Sequence, residues 1–401
     1  MNEPKIRFKG FQGEWETHAL SEYFKKVCDK NTKMECTIVL TNSAEHGIIP
    51  QNDFFDHAIA NNKNIGGYYI VSPDDFVYNP RVSVTAPVGP INRSLLDFQG
   101  VMSPLYLVFK INTINKDYLN IFYKTNKWHT FMKLEGNCGA RFDRLSISDD
   151  QFVKMPLTHP KDHSEQQSIA SYFQHLDSLI QSTTKKIESL KQVKAASLQS
   201  MFPQEGETTP RVRFKGFEGE WEKVRASNVF KTFNEKNRPD LPVLSATQDR
   251  GMVTRESIGY NIFHDKSNEA TYKHILPGQF IIHLRSFQGG FAHSSIEGIA
   301  SPAYTIMEFK DKTRHFDLYW KYIFVSKEFI KRLELITYGI RDGRSISFEE
   351  FSEMYFTVPS YEEQKKIASY ITTLDRQITL QTQRLEKLKQ IKAACLDNMF
   401  V

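Results

Sequence analysis

The sequence predicts an α+β protein built as an internal repeat. We expect two similar mixed α/β globules, separated by two long helices that pack as an antiparallel coiled coil with pseudo-twofold symmetry. Three observations lead to this prediction: a duplicated segment rich in Phe, Gly and Trp, a duplicated apolar seam, and dissimilar stretches between them with mixed strand and helix patterns.

Short strings recur almost unchanged in the second half of the chain, whereas the stretches between them differ. The segment at 4–16 reads PKIRFKGFQGEWE, and the segment at 210–222 reads PRVRFKGFEGEWE. We call these two segments the lead segments. The other recurring strings are EQQSIASY at 165–172 with EQKKIASY at 363–370, LKQVKAA at 190–196 with LKQIKAA at 388–394, and Met201-Phe202 with Met399-Phe400. The chain therefore consists of two copies of one unit with similar frames and different contents.

A narrow apolar seam closes each copy and predicts a long helix. Apolar residues alternate at spacings of three and four, and only Thr183 and Gln381 interrupt the two series. The seam residues are Ile169, Phe173, Leu176, Ile180, Ile187 and Leu190 in the first copy, and Ile367, Ile371, Leu374, Ile378, Leu385 and Leu388 in the second. A helix of roughly 38 residues would rise about 57 Å.

One such helix cannot bury its seam alone, so we expect the two helices to pack on each other. An antiparallel arrangement would place the two globules at opposite ends of a rod. The alternative is that each helix packs on its own globule as ordinary core.

The stretches between the repeats carry strand-like and helix-like patterns. Runs of β-branched and aromatic residues predict strands at 68–71, 76–78, 105–109, 280–282 and 303–306. Helices are expected from Asp117 to Phe131 and from Asp317 to Leu335. The polar run PQEGETTP at 203–210 predicts a linker between the copies.

Composition sets broad limits. A length of 401 residues suits two or three domains, and a hydrophobic content of 40% is enough for real cores. The formal charge of +5 permits nucleic-acid binding without requiring it. The four cysteines form no C-x-x-C pair, which predicts free thiols in a reducing compartment. Neither a signal core nor a membrane-length apolar run is present in the sequence, so we expect a cytoplasmic protein.

Familiar catalytic motifs are missing from the sequence. It contains no Gly-Lys pair of a phosphate-binding loop, no H-E-x-x-H, no G-x-S-x-G and no zinc-ligand spacing. An amino-methyltransferase would need Asn-Pro-Pro-aromatic or Asp-Pro-Pro-aromatic, and the nearest string, Asn79-Pro80-Arg81, falls short of it. Together these absences favour a binding protein with no metal site of its own.

Arginines at matching places in the globules are the candidate DNA contacts. An arginine in a Gly-containing loop can reach a phosphate or hydrogen-bond a guanine edge. The candidates are Arg81, Arg93, Arg141, Arg144, Arg285, Arg341 and Arg344. The alternative is that they pair with carboxylates at the surface. Trp15 and Trp221 are interpreted as packing anchors rather than base-stacking platforms.

The lead segments, the two EQxxIASY strings and the two LKQ-hydrophobic-KAA strings together resemble the specificity subunit of a type I restriction–modification system, over the whole length of the chain. The resemblance implies two target recognition domains, each reading one half of a split asymmetric DNA site. It also implies that the paired helices set the length of the unread spacer. The implied boundaries are 1–163 and 203–362 for the recognition domains (the second including the linker), and 164–202 and 363–401 for the helical spacers.

The resemblance also implies partners. These are double-stranded DNA, two modification subunits that dock on the helices and methylate adenine, and restriction subunits that cleave. Any cofactor would belong to those partners: S-adenosylmethionine to the modification subunit, and ATP with Mg²⁺ to the restriction subunit. The specificity subunit itself would have no catalytic residues and no membrane partner.

Two other classes stay open at this point. The chain could be a non-DNA adaptor whose two globules bind proteins, and strong salt dependence of DNA binding would exclude that reading. A stand-alone DNA enzyme would need catalytic residues that the sequence does not reveal.

Overall fold

The structure is a computed structural model that describes residues 2–53, 62–137, 143–204, 206–247, 250–258, 266–283, 290–336 and 346–401. It divides into two compact units. Unit 1 comprises Met1–Thr184 together with Gln383–Val401, and unit 2 comprises Lys185–Thr382. Each unit therefore contains a globule, the beginning of one long helix and the end of the other.

Unit 1 follows a mixed order of short strands and helices. Its strands are β1 (Glu16–Ala19), β2 (Phe24–Lys26), β3 (Leu40–Ser43), β4 (Gly47–Pro50), β5 (Tyr69–Val71), β6 (Phe76–Tyr78), β7 (Ile91–Arg93), β8 (Gly100–Met102), β9 (Leu107–Ile111) and β10 (Pro156–His159). Its helices are α1 (Lys116–Phe122), α2 (His129–Glu135), α3 (Asp149–Phe152) and the long α4 (His163–Ser200), which continues into unit 2.

Unit 2 repeats this order. Its strands are β11 (Glu222–Arg225), β12 (Phe230–Phe233), β13 (Leu244–Thr247), β14 (Gly251–Thr254), β15 (Lys273–Ile275), β16 (Phe280–Ile282), β17 (Phe291–His293), β18 (Gly298–Ala300), β19 (Thr305–Phe309) and β20 (Tyr355–Val358). Its helices are α5 (Ala226–Val229), α6 (Asp317–Phe324), α7 (Lys327–Ile336), α8 (Phe348–Ser352) and the long α9 (Tyr361–Asn398), which continues into unit 1.

An antiparallel four-stranded sheet forms the centre of each globule. The strand order is β2-β9-β6-β7 in unit 1 and β12-β19-β16-β17 in unit 2. Successive side chains on a strand point to opposite faces, so one short strand can serve two cores. Phe76 and Tyr78 on β6 face the larger core with the helices, whereas Val77 faces the smaller core under the hairpins. This is why the runs FVY and FII are buried along their whole length.

The α+β class is confirmed, and the ends of the predicted strands fall within three residues of the observed ones, but both predicted globule helices are interrupted. In unit 1 the Thr125 hydroxyl donates to the Phe122 carbonyl at 2.7 Å, and α1 ends there. In unit 2 the Ser326 hydroxyl accepts from the backbone N–H of Phe329 at 3.2 Å and caps a second helix, α7. In both places a hydroxyl residue competes with the continuing helix.

Within unit 1, the beginning of α4 lies against the end of α9. The rings of Phe173 and Phe400 are 5.9 Å apart, and Lys392 pairs with Asp177. A later residue on α4 contacts an earlier residue on α9, so the two segments run antiparallel, as predicted. Unit 2 contains the matching pair, because Lys194 on α4 bridges to Asp375 on α9.

The seam residues are buried or half-buried in the structure. Ile169, Phe173, Leu176, Ile187, Leu190, Ile367, Ile371 and Leu374 are buried, and Ile180, Ile378, Leu385 and Leu388 are half-buried. The first turns of each helix also enter the core of their own globule: Ile169 and Phe173 join the core of unit 1, and Ile367 and Ile371 that of unit 2. The two packing alternatives therefore occupy different parts of the same helices.

Candidate nucleic-acid interface

The recurring residues build the junction between each globule and its helix. The Arg7 guanidinium forms a two-point ion pair with the buried Glu165 carboxylate, at 2.7 and 2.8 Å. It also donates to the Gly13 carbonyl at 2.6 Å, where Gly13 adopts a φ of 86° that favours glycine. The hydrogen bond to the Glu165 carboxylate raises the pKa of Arg7.

Unit 2 repeats the ion pair and the bond to the glycine carbonyl. Arg213 pairs with the buried Glu363 carboxylate at 2.7 and 2.7 Å and donates to the Gly219 carbonyl at 2.6 Å. Gly219 again has a positive φ, of 80°. The repeated Arg, Gly and Glu of the two copies are therefore explained by one structural device.

The glutamine that follows each buried glutamate ties the helix to the globule. Gln166 accepts from the backbone N–H of Asn115 at 2.9 Å and donates to the Pro160 carbonyl at 2.8 Å. Gln364 makes the equivalent bonds to Phe316 and Pro359. These bonds orient the first turn of each helix against the helical side of its globule.

The lead-segment tryptophans are packing anchors, as interpreted from the sequence. Trp15 and Trp221 are buried and meet Tyr118 and Tyr319 edge to face at 6.2 and 6.3 Å. The shared motifs thus supply scaffold, and DNA contacts are to be sought where the two globules differ.

In unit 1 the structure brings two of the candidate arginines together. Arg81 and Arg144 face each other across an antiparallel bridge, which the bonds Val82 N–H to Asp143 O and Leu145 N–H to Pro80 O hold at 2.9 Å each. Arg81 is exposed, and its side chain forms no ion pair with any described residue. Arg144 is half-buried and lies 3.9 Å from Asp143. Both guanidinium groups can therefore reach an external anion.

A cavity of about 340 Å³ lies beside this arginine pair. Arg144, Tyr69, Tyr106 and Lys26 are among its lining residues. Lys26 bonds to Asp149, and this bond raises the pKa of the lysine. Asp149 also lines the cavity, so the positive charge that remains there is that of Arg144. An arginine beside aromatic walls suits a nucleic-acid surface. Tyr69 and Tyr106 were predicted only as strand residues and Lys26 was not singled out, because the cavity brings together residues from separate parts of the sequence.

Arg93 lies in a different setting from the other candidates. Its side chain is 13% exposed and bridges Asp74 at 3.1 Å and Asp117 at 2.9 Å. These contacts match the alternative of a surface ion pair. His293 occupies the corresponding strand end in unit 2 and pairs with Asp317 at 2.8 Å. The position therefore joins a strand to the following helix in both units.

The other arginine predictions lie outside the described residues. These are Arg141, Arg285, Arg341 and Arg344. Their proposed DNA contacts stay predictions, as do those of Arg81, Arg93 and Arg144.

Three further features concern the thiols, metal sites and membrane spans in the described parts of the chain. Cys28, Cys36 and Cys395 are free thiols, and Cys138 lies outside the described residues. No three His, Cys, Asp or Glu side chains within those parts come together as a metal site. None of the helices described there is both long and apolar enough to cross a membrane.

The family comparison matches residues 218–390 to the family described as type I restriction modification DNA specificity domain. The match covers the globule of unit 2 and most of α9. No curated protein sequence matches the chain.

One solved structure shares the fold of the whole chain. The S subunit of a type I restriction–modification system from M. genitalium is 11% identical, covers 100% of this chain with 99% of its own, and has a TM-score of 0.58. The HsdS subunit from Thermoanaerobacter tengcongensis is 14% identical over 96% of both chains, with a TM-score of 0.48.

The M. genitalium likeness shows a common fold at low identity. The family match assigns the second copy, and the internal repeat relates the first copy to it. Residues 218–390 therefore match a type I restriction modification DNA specificity domain, and the whole chain shares its fold with a solved S subunit of such a system.

Proposed function

We propose that this chain recognises DNA for a type I modification and restriction complex without performing chemistry itself. Each globule reads one half of a bipartite, asymmetric site. The long helices set the unread spacer and carry two modification subunits, which methylate adenine. The observation that carries the proposal is the match of the second copy to a DNA specificity domain, within a repeat that keeps its frame and changes its contents.

The geometry of the junctions supports independent reading. The same Arg–Glu ion pair, which we call the clamp (Arg7 with Glu165, Arg213 with Glu363), and the same glutamine hydrogen bonds attach two dissimilar globules to their helices. A fixed attachment with variable contents lets one globule change its target while its position on the helix stays the same.

The arginine pair in unit 1 supports contact with DNA. Arg81 and Arg144 would contribute phosphate or base-edge contacts, with Tyr69 and Tyr106 available to stack. In this proposal S-adenosylmethionine stays with the modification subunit, and ATP and Mg²⁺ stay with the restriction subunit.

The experiment is a methylation assay on the purified chain with and without its modification subunit. We expect no methyl transfer from S-adenosylmethionine by the chain alone, and adenine methylation at one bipartite site by the complex. Methylation by the isolated chain would contradict the proposal.

The salt dependence of DNA binding distinguishes the proposed function from a protein-binding adaptor. If the complex neutralises several phosphates, its affinity for DNA should fall steeply as salt rises from about 50 to 200 mM. An affinity that does not depend on salt would favour a protein-binding adaptor.

A further inference from the structure

A set of buried asparagine side chains crosses the globule of unit 1. Asn42 on β3, Asn92 on β7 and Asn79 just after β6 are all buried. Asn92 Nδ2 donates to Asn42 Oδ1 at 2.6 Å, and Asn42 Nδ2 donates to the Val77 carbonyl on β6 at 2.7 Å. Asn79 Nδ2 donates to the Asn42 carbonyl at 2.9 Å. Asn42, Asn79 and Asn92 therefore form one connected set of hydrogen bonds, which we call the asparagine network.

One end of the asparagine network holds Arg81. Asn79 Oδ1 accepts from the backbone N–H of Arg81 at 3.0 Å, while the Asn79 amide nitrogen is bound to Asn42. Arg81 is the exposed arginine of the pair that faces Arg144 across the antiparallel bridge. The backbone that carries this arginine is therefore fixed by a side chain that is itself fixed by Asn42.

The other end of the network holds the turn between β3 and β4. Asn92 Nδ2 also donates to the Ser43 carbonyl at 3.0 Å, where that turn begins. The Ser43 hydroxyl accepts from the backbone N–H groups of Glu45 and His46 at 3.3 and 3.2 Å. Lys124, which follows α1, donates to Asn92 Oδ1. The network thus joins the turn, the strand end at Arg81 and the end of α1.

Unit 2 has apolar residues at two of these places. Ala246 is the third residue of β13, as Asn42 is of β3, and Ala292 is the second residue of β17, as Asn92 is of β7. Ala292 is buried in the smaller core of unit 2, and Ala246 packs against that core. Two hydrogen-bonded partners that are both replaced by apolar residues leave no buried group without a partner. The shared frame therefore folds without the Asn42–Asn92 bond, so its presence in unit 1 calls for another reason.

We propose that Asn42, Asn79 and Asn92 are positioning residues that set the half-site preference of unit 1. They hold the strand end at Arg81 and the β3–β4 turn as one edge before DNA arrives. A contact edge that is fixed beforehand loses less conformational freedom on binding and tolerates fewer wrong partners. This inference rests on the proposed function, in which unit 1 reads one half of the site.

The test sequences the methylome of cells that carry the full chain with its modification subunit. Discrimination is the ratio of methylation at the original site to methylation at sites with one changed base pair, scored separately for each half. Asn79→Ala frees the backbone N–H of Arg81, and Asn42→Ala/Asn92→Ala introduces the residues of unit 2. In both variants discrimination should fall at least about fivefold in one half. The other half and the spacer should be unchanged.

Stability is measured on the same variants by urea denaturation. Asn42→Ala leaves the Asn92 amide without its acceptor, and Asn92→Ala leaves Asn42 Oδ1 without its donor. The double variant removes both groups, so its loss of stability should be smaller than the sum of the two single losses. Discrimination should not recover with it. A purely structural role would make stability and discrimination change together.

Asn31→Ala is the matched control. Asn31 lies in the same unit and is 2% exposed, as are Asn42 and Asn92. Its side chain donates to the Cys36 carbonyl at 2.7 Å and accepts from the Cys36 backbone N–H at 3.1 Å, and it forms no bond to the asparagine network. This variant should lose stability while it keeps its discrimination in both halves.

Three results would overturn the positioning role. They are unchanged discrimination in Asn79→Ala and the double variant, even with less methylation overall; recovery of discrimination together with stability in the double variant; and an equal loss of discrimination in Asn31→Ala. A wild-type complex that methylates no bipartite site would instead contradict the proposed function itself.

Discussion

At the scale of single residues, the repeated arginine of the lead segment is a structural group. Arg7 places its charge on a carboxylate that is almost fully buried, and Arg213 does the same in unit 2. Removing one partner of a buried ion pair leaves the other charge without compensation, which costs far more than the loss of a surface pair.

Arg7→Ala should therefore lower the free energy of unfolding of the chain by about 3 kcal/mol, measured by urea denaturation. Arg211→Ala is the control, since Arg211 pairs with Glu207 at 3.1 Å on the exposed surface. That control should change stability little. Equal effects of the two substitutions would contradict the role assigned to the clamp.

His315 gives unit 2 a dependence on pH. Burial, and next the nearby Arg314, lower the pKa of His315 from 6.5 to about 4. Between about pH 6.5 and pH 4 this imidazole is protonated in the unfolded chain and neutral in the folded chain. The free energy of unfolding therefore falls as the pH drops from about 6.5 towards 4, by up to about 3 kcal/mol. Unit 1 places the buried Ile114 at the same distance before its helix.

His315→Ile should thus reduce the loss of stability between pH 7 and pH 4.5, measured as the change in denaturant midpoint. The comparison with wild type at each pH removes the contribution of the other titrating groups. A variant that loses stability with pH as steeply as wild type would show that His315 is not responsible.

Arg144 and Arg93 separate recognition from structure. Arg144→Ala should weaken DNA binding by about 1–3 kcal/mol if it reads a base, or lower the salt slope by about one if it contacts a phosphate. Arg93→Ala should destabilise unit 1, since it removes the ion-pair partner of Asp117 and leaves Asp74 with Lys116 alone, and should leave the DNA sequence preference unchanged. Unchanged affinity, salt slope and preference in Arg144→Ala would assign Arg144 to the surface ion pair with Asp143.

The sequence could predict the scaffold residues but not these roles. The helical spacing of Ile169 and the repetition of the Trp15 segment in both copies identify these residues as structural, because buried positions recur regularly in the sequence. An arginine that pairs with Asp74 and one that faces solvent look alike in sequence, since the partner carboxylate comes from elsewhere in the fold. The cavity beside Arg144 combines five distant segments, and no local pattern encodes it.

At the scale of elements, the long helices were predictable and the short ones were not. The helices α4 and α9 each have 38 residues, which agrees with the helix length predicted from the sequence. The globule helices end where Thr125 and Ser326 form local hydrogen bonds, and such competition is invisible to periodicity.

Helix α4 passes from unit 1 to unit 2 between Thr184 and Lys185. Inserting four residues between Thr183 and Ile187 adds about 6 Å of helix and shifts the seam by about one turn. We expect the two half-sites to stay the same while the unread spacer grows by one or two base pairs, with some loss of stability. Methylome sequencing of cells that carry the variant complex measures the spacer.

The control is the same insertion in the linker at 203–210, which should leave the spacer unchanged. An active helix variant that keeps the original spacer would show that the helices do not set the distance.

At the scale of the whole molecule, one frame is used twice with different contents. The two central sheets have the same strand order, and both lead segments close the same clamp. The segments that carry Arg141, Arg285, Arg341 and Arg344 lie among the stretches that differ between the two copies. We therefore expect the two globules to have separate DNA targets and a common mode of attachment to the helices.

The most direct test exchanges the globule at 223–359 for that of a related specificity subunit and sequences the methylome of cells carrying the complex. We expect one half of the methylated site to change while the other half and the spacer are retained. Methylation with both halves changed, or with neither changed, would contradict independent reading by the two globules.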